Sequence, residues 1–267
     1  FELVWRKPGN PTHIGIVFIL LMLITTVTRI IFSKASIEVD PLHLLHHLYA
    51  KLRFTLSKPV YKNMLENIAN LSNFKGMEYF ILLIIGTVTY DGLRGTTFWY
   101  NLFGSSTLDI TFSTFAFFGI NIVIIGSYRF ACWFALKVSG EKQDLNNVSL
   151  LFGHTMLPIA FAYHVTHYLS LLLYESQTIL YRLNDPYGIG WNLFGIDDIS
   201  INYFLTPVAL WGIQVFVTLA GHMLSVVLAH DLAIKLFGHQ QSDKTQYIFL
   251  LITVGLTLQA LFVLSVP

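Results

Sequence analysis

Apolar residues in this chain come in long blocks separated by shorter polar stretches. Six blocks, at about 13–32, 77–93, 109–136, 148–175, 203–237 and 247–266, approach or exceed the length a bilayer demands. A hydrocarbon core of roughly 30 Å takes about 20 mostly apolar residues as helix. The pattern predicts an all-α fold, a polytopic transmembrane helical bundle of about six spans in a single domain covering 1–267. The second block is short, so "YDGLRGTTFWYNLFGSS" after it is expected to fold back into the interface. No repeat of fixed period is visible.

Two connecting stretches carry patterns of their own. In "DPLHLLHHLYAKLRF", Asp40 and Pro41 make a helix start, a capping acid followed by proline at the first helical position. Leu44, Leu45, Leu48 and Leu52 then recur at helical spacing, with His43, His47, Lys51 and Arg53 largely elsewhere. An amphipathic helix over about 41–55, lying at the membrane surface, is expected. Its histidines, His43, His46 and His47, read as solvated, with a metal-binding cluster as the alternative. The later stretch "SQTILYRLNDPYGIGWNLFGIDDISINYF" is set with turns by Asp185-Pro186, Gly188, Gly190 and Gly195. Tyr187, Trp191 and Phe194 suit the headgroup layer. Asp185, Asp197 and Asp198 read as turn and surface residues, with a lid over an outward-facing pocket as a second role.

Composition agrees with the pattern. The 267 residues are 54% hydrophobic and 12% charged, with mean hydropathy +0.61, where a soluble domain would carry about 25% charged residues. A net charge of +1 gives no electrostatic case for nucleic acid. A single cysteine, Cys132, excludes an intrachain disulfide framework and paired-cysteine zinc motifs. The opening "FELVWRKPGNPTH" lacks signal-peptide design. Lys34, Lys51, Arg53, Lys58, Lys62, Lys75, Lys137, Lys142, Lys235 and Lys244 lie on one side, against Arg6, Lys7, Arg94 and Arg182 on the other. The basic side belongs inside, which places both ends of this chain outside.

The polar residues within the spans are the candidates for chemistry, because ionisable groups there are costly and face protein or a cavity. The fourth span holds His154, His164 and His167 and ends near Glu175; the fifth holds His222, His230 and Asp231. Helical rise puts His164 and His222 within about 5 Å of mid-membrane. They are the pair expected to meet. His167 lies about one and a half turns further out, near Tyr90, Asp91 and Glu175, and forms an outer set with Asp91 and Tyr168. His154 with His230 and Asp231 forms an inner set. His154 and His164, like His222 and His230, diverge by about 80° around their helices, so the five make a broad stripe.

Neutral imidazoles with a carboxylate would suit zinc, copper or iron, and two facing histidines a haem. A graded string of His and Asp could relay protons, or each His could simply bond a neighbouring helix. The two-His zinc-protease motif is absent, since "HVTH" is i,i+3 without its Glu. Asp91 reads either as a turn-forming Asp-Gly paired with Arg94 or as a carboxylate facing His167. Pro158 and Pro207 fall within spans and predict bends, Pro158 between His154 and His164. Ala220, Gly221 and Ser225 predict close helix contact around His222. Arg129 is expected to snorkel.

Four stretches, "YDGLRGTTFW", "GHTMLPIAFAYHVTHYLSLL", "NDPYGIGWNLFG" and "GHMLSVVLAHDLA", lie in order within about 77–267. Together they resemble a family of polytopic bacterial and archaeal membrane proteins labelled fenitrothion hydrolase membrane component. The amphipathic stretch resembles it more loosely. The resemblance emphasises His154, His167, Tyr168, His222, His230 and Asp231, with His164 at a more variable place. It implies organophosphate ester hydrolysis with a partner protein, and that this chain is the C-terminal part of a longer one.

These readings converge on an integral membrane subunit with an intramembrane histidine-lined metal or cofactor site, working in a multisubunit complex. Metal ligation is expected among His154, His164, His167, His222 and His230, with Asp91 and Asp231 as acid or base. The metal would be a divalent transition ion (zinc, copper or iron), with haem as another candidate. Lipids, other subunits and a small apolar substrate are the expected partners, and metal-dependent hydrolysis or redox chemistry the expected reaction. The alternatives are a proton or metal-ion pathway, a haem or quinone electron-transfer subunit, and a structural anchor.

Overall fold

The computed structural model describes residues 11–31, 40–52, 75–104, 109–185, 189–196 and 200–265. Among them there are helices and no strand: α1 (Pro11–Ile31), α2 (Pro41–Ala50), α3 (Met77–Arg94), α4 (Thr97–Phe103), α5 (Ile110–Ser139), α6 (Leu145–Thr155), α7 (Leu157–Leu173), α8 (Ile179–Asn184), α9 (Pro207–Phe237) and α10 (His239–Ser265). A 3-10 turn, Glu175–Thr178, joins α7 to α8. α5, α9 and α10 are long and apolar enough to cross a bilayer, and α6 with α7 makes a fourth span if the bent pair counts as one. The other two expected spans do form helices, but α1 is apolar only over a shorter run, and α3 carries Glu78, Asp91 and Arg94 within 18 residues.

Polarity is arranged as a membrane interior demands. Phe115, Ile122 and Val123 on α5, Phe216 and Met223 on α9, and Leu251 and Leu258 on α10 all point outward. The buried positions of the same helices include Asn121, Gln214, Thr218, Ser225, Thr253 and Thr257. An apolar exterior this continuous marks a lipid-facing surface. Gln214 and Ser225 bond the backbone of α7, while Asn121, Thr253 and Thr257 bond carbonyls of their own helices. α3 packs on α5, α6, α7 and α10, while α9 lies between α7 and α10.

Caps and breaks follow local chemistry. Asp109, Asp144 and Thr206 cap α5, α6 and α9 by accepting from backbone N–H groups within the first turn. Pro207 does not bend the fifth span as expected. It opens α9 just after the Thr206 cap, where a missing N–H costs nothing. Pro158 does interrupt the fourth span. Its ring displaces the bond that the His154 carbonyl would accept, and the chain bends by 44° between α6 and α7. The Ile159 N–H freed at the break donates to Ser225 Oγ of α9, 3.1 Å away. Ser225→Ala should strand that buried donor and cost about 1–3 kcal/mol. A thermal unfolding midpoint in detergent unchanged from wild type would refute this role.

Three local expectations change. α2 begins at Asp40 and Pro41 as foreseen, but Leu44, Leu48 and Leu52 are buried in the protein's own core, and Tyr49 packs edge-on to Phe161 of α7. Arg53 and the rest of the expected amphipathic helix lie outside the described residues. Arg129 is held by protein partners, donating to Tyr79 Oη at 3.0 Å and Asn146 Oδ1 at 3.1 Å. Asp91 and Gly92 form no turn, because α3 continues to Arg94. Gly92 instead admits α10: a Cβ there would lie 2.6 Å from Val263 Cγ1. In the long loop, Asp185 accepts from the Ile189 and Gly190 N–H groups, as a turn residue should. Tyr187, Asp197 and Asp198 lie outside the described residues.

Candidate functional site

The C-terminal halves of α3 and α7 bring an acid and an imidazole together. His167 Nε2 lies 2.8 Å from Asp91 Oδ2, and Tyr168 Oη donates to the same oxygen at 3.2 Å. An ionised carboxylate only accepts, so Nε2 carries the hydrogen and Nδ1 is the basic nitrogen. The two side chains are 21% and 26% exposed, so they are sheltered without being sealed. The His167 and Tyr168 rings meet edge to face at 4.7 Å, which fixes the imidazole's plane. α4 covers this end of α3, with Trp99 against Tyr90.

His167 also lines a pocket of about 20 Å³ with Val88, Tyr163, Thr166, Gln259, Ala260, Val263 and Leu264. That volume admits about one water. Gln259 Oε1 accepts from Thr89 Oγ1 at 3.2 Å and Tyr163 Oη at 3.3 Å. Behind Thr166, Gln214 Nε2 donates to its carbonyl at 2.8 Å, and Thr218 Oγ1 lies 3.5 Å from its hydroxyl. Neutral polar groups of α7 and α10 thus line the pocket beside the imidazole, with Thr89 of α3 and Gln214 and Thr218 of α9 bonded to them from behind. Gln259, Thr89 and Gln214 were not foreseen from the sequence. The available signal was an amide or hydroxyl inside an otherwise apolar block, as in "TVGLTLQAL".

The other candidate residues are dispersed. His164 and His222 do not meet. His164 packs against Tyr168 and against Tyr49 of α2, while His222 turns to α10. There Thr257 gives its hydroxyl proton to the Thr253 carbonyl, and its oxygen lies 3.0 Å from His222 Nδ1. The inner set is not assembled either. His154 is buried with no hydrogen-bond partner for Nε2. His230 is exposed and pairs with Gln246 Oε1 at 3.1 Å, and Asp231 is half-buried on the following position. Among the described residues, no three His, Cys, Asp or Glu side chains are placed to share a metal ion. The donor set expected for zinc, copper or iron therefore does not fit a single centre within them.

Geometry and polarity define the class: among the described residues, an all-helical bundle of membrane type with a half-buried acid–imidazole–phenol group. No protein-family model, curated protein or solved structure matched the chain.

Proposed function

We propose that this chain is a six-span subunit of a larger prokaryotic inner-membrane complex, with both its ends outside, and that its working centre is a proton-exchange site formed by Asp91, His167 and Tyr168. The 2.8 Å contact between His167 Nε2 and Asp91 Oδ2, inside a bundle that turns its polar side chains inward, carries this reading. The step it supports is simple. An excess proton carried by the water in the adjoining pocket passes to Nδ1 of His167, which leaves the water neutral; Nε2 gives its proton to Asp91, and Asp91 releases it to water on its other side. Tyr168 holds the carboxylate oxygen in line. Imidazole is suited to this because it can gain a proton on one nitrogen while losing one from the other. Intramembrane acid–histidine chains are a known means of moving protons through bundles.

The test uses the protein in proteoliposomes with an entrapped pH-sensitive dye. Wild type should relax an imposed pH gradient, and His167→Gln should slow that relaxation by about 10²-fold, a typical contribution of a placed acid–base group. Equal rates would remove the proposal. The organophosphate ester hydrolysis implied by the family resemblance is checked on the same preparation, with a phosphotriester substrate and elemental analysis. Metal-dependent turnover abolished by His222→Ala would favour that chemistry over proton exchange.

A further inference from the structure

The crevice between α1 and α2 is a second polar feature, and the centre above makes no use of it. It measures about 410 Å³ and is lined by Met22, Thr25, Thr26 and Arg29 of α1 and Asp40, Leu42, His43 and His46 at the start of α2. Within it, Arg29 Nη2 donates to Asp40 Oδ2 at 2.5 Å and to His43 Nδ1 at 3.2 Å. Arginine has only donors, so His43 Nδ1 is the acceptor and the ring proton sits on Nε2. The Arg29 side chain remains 48% exposed, and the rest of its five-donor fork is available for bidentate work. Both His43 and His46 are exposed.

Beyond the crevice, towards the start of α1, the same helix face is apolar. Phe18, Ile19, Met22, Thr25, Thr26 and Arg29 follow one another at i,i+3 and i,i+4 and so share one face of α1. Phe18, Ile19 and Met22 are exposed. The Thr25 and Thr26 hydroxyls bond back to the Met22 carbonyl, which removes their donors from that face. A fork of N–H donors at the polar end of an apolar helix face matches one kind of ligand, with a phosphate at its head and hydrocarbon behind it. Arg29 is near the end of its span that the basic residues assign to the inner leaflet, where phospholipid headgroups lie.

We infer that this crevice is a phospholipid site, in which Arg29 and the Nε2–H of His43 hold the phosphate diester and the acyl chains run along Met22, Ile19 and Phe18. Asp40 is the internal competitor. Burial disfavours its charge, but the N–H groups of His43 and Leu42 and the Arg29 guanidinium outweigh that and hold its carboxyl below the usual range. It therefore occupies Arg29 through its own carboxylate while still capping α2.

Native mass spectrometry of the purified protein titrated with phosphatidylglycerol tests the site. Arg29→Gln should lower lipid retention about fivefold, the effect of one basic group at a membrane surface. Asp40→Asn should raise retention, because asparagine caps a helix as well as aspartate but does not compete for the guanidinium. If Arg29→Gln fails to fold, His43→Gln, which leaves the Arg29–Asp40 pair intact, decides the matter by a smaller loss. Retention unchanged in both variants overturns the inference, as does a loss in Asp40→Asn. Displacement of the lipid by millimolar inorganic phosphate would make this a free-phosphate site and also overturns it. None of these outcomes depends on the proton-exchange centre.

Discussion

Asp91→Asn should cut proton exchange by about 10²-fold or more while leaving the bundle folded. The amide oxygen of asparagine can still accept from His167 Nε2 and from Tyr168 Oη, so the 2.8 Å and 3.2 Å contacts have a replacement acceptor. It cannot take the proton. Structure and chemistry are therefore separated by one substitution, with gradient relaxation in proteoliposomes reporting the second and the thermal midpoint the first. Asp91→Glu keeps the charge but lengthens the arm by a methylene, and should retain part of the rate. Tyr168→Phe removes only the orienting bond and should fall between wild type and Asp91→Asn. If Asp91→Asn relaxes a gradient at the wild-type rate, the Asp91–His167 contact is only interhelical adhesion of the kind common in membrane bundles.

That outer group was legible in the sequence because depth arithmetic needs only spans and their direction. Asp91 closes the second block and His167 nears the end of the fourth, so both reach the same level. The pairing of His164 with His222 rested on depth alone and failed. Which way a helix turns about its own axis is set by neighbours, and the chain also bends by 44° between α6 and α7 at the Pro158 break. His164 consequently faces Tyr49, on an element expected to lie in the interface and not against the bundle. The leucine stripe of α2 was visible, but periodicity cannot say whether an apolar face meets lipid or protein. Gln259 and Thr89 carried only a weak signal for a different reason: uncharged polar groups are common in spans as helix-to-helix bonds, and only the structure shows two hydroxyls converging on one amide oxygen. The small residues of "AGHMLS" gave the clearer signal, and the structure explains why.

Gly221→Ala should destabilise the protein by about 1–3 kcal/mol, and Gly221→Val by more. A Cβ at this position would collide with Ala162 Cβ and lie 2.9 Å from the Pro158 carbonyl oxygen. Neither neighbour can yield, since one is a methyl on the helix backbone and the other is backbone at the bend. α9 would have to move away from α7. Ser225, one turn further along α9, would then lose its grip on the Ile159 N–H. Gln214 and Thr218 would draw back from Thr166, the residue that lines the pocket beside His167. The stability loss should therefore be accompanied by slower proton exchange, although Gly221 touches none of the three central residues. Gly212 supplies the control on the same helix. Nothing lies within 4 Å of its missing Cβ, so Gly212→Ala should be neutral or stabilising by up to about 1 kcal/mol through helix propensity alone. Thermal unfolding of the two alanine variants in the same detergent gives the comparison. Shifts of the same sign and size would mean that α7 and α9 do not meet as closely as the missing side chain at Gly221 requires.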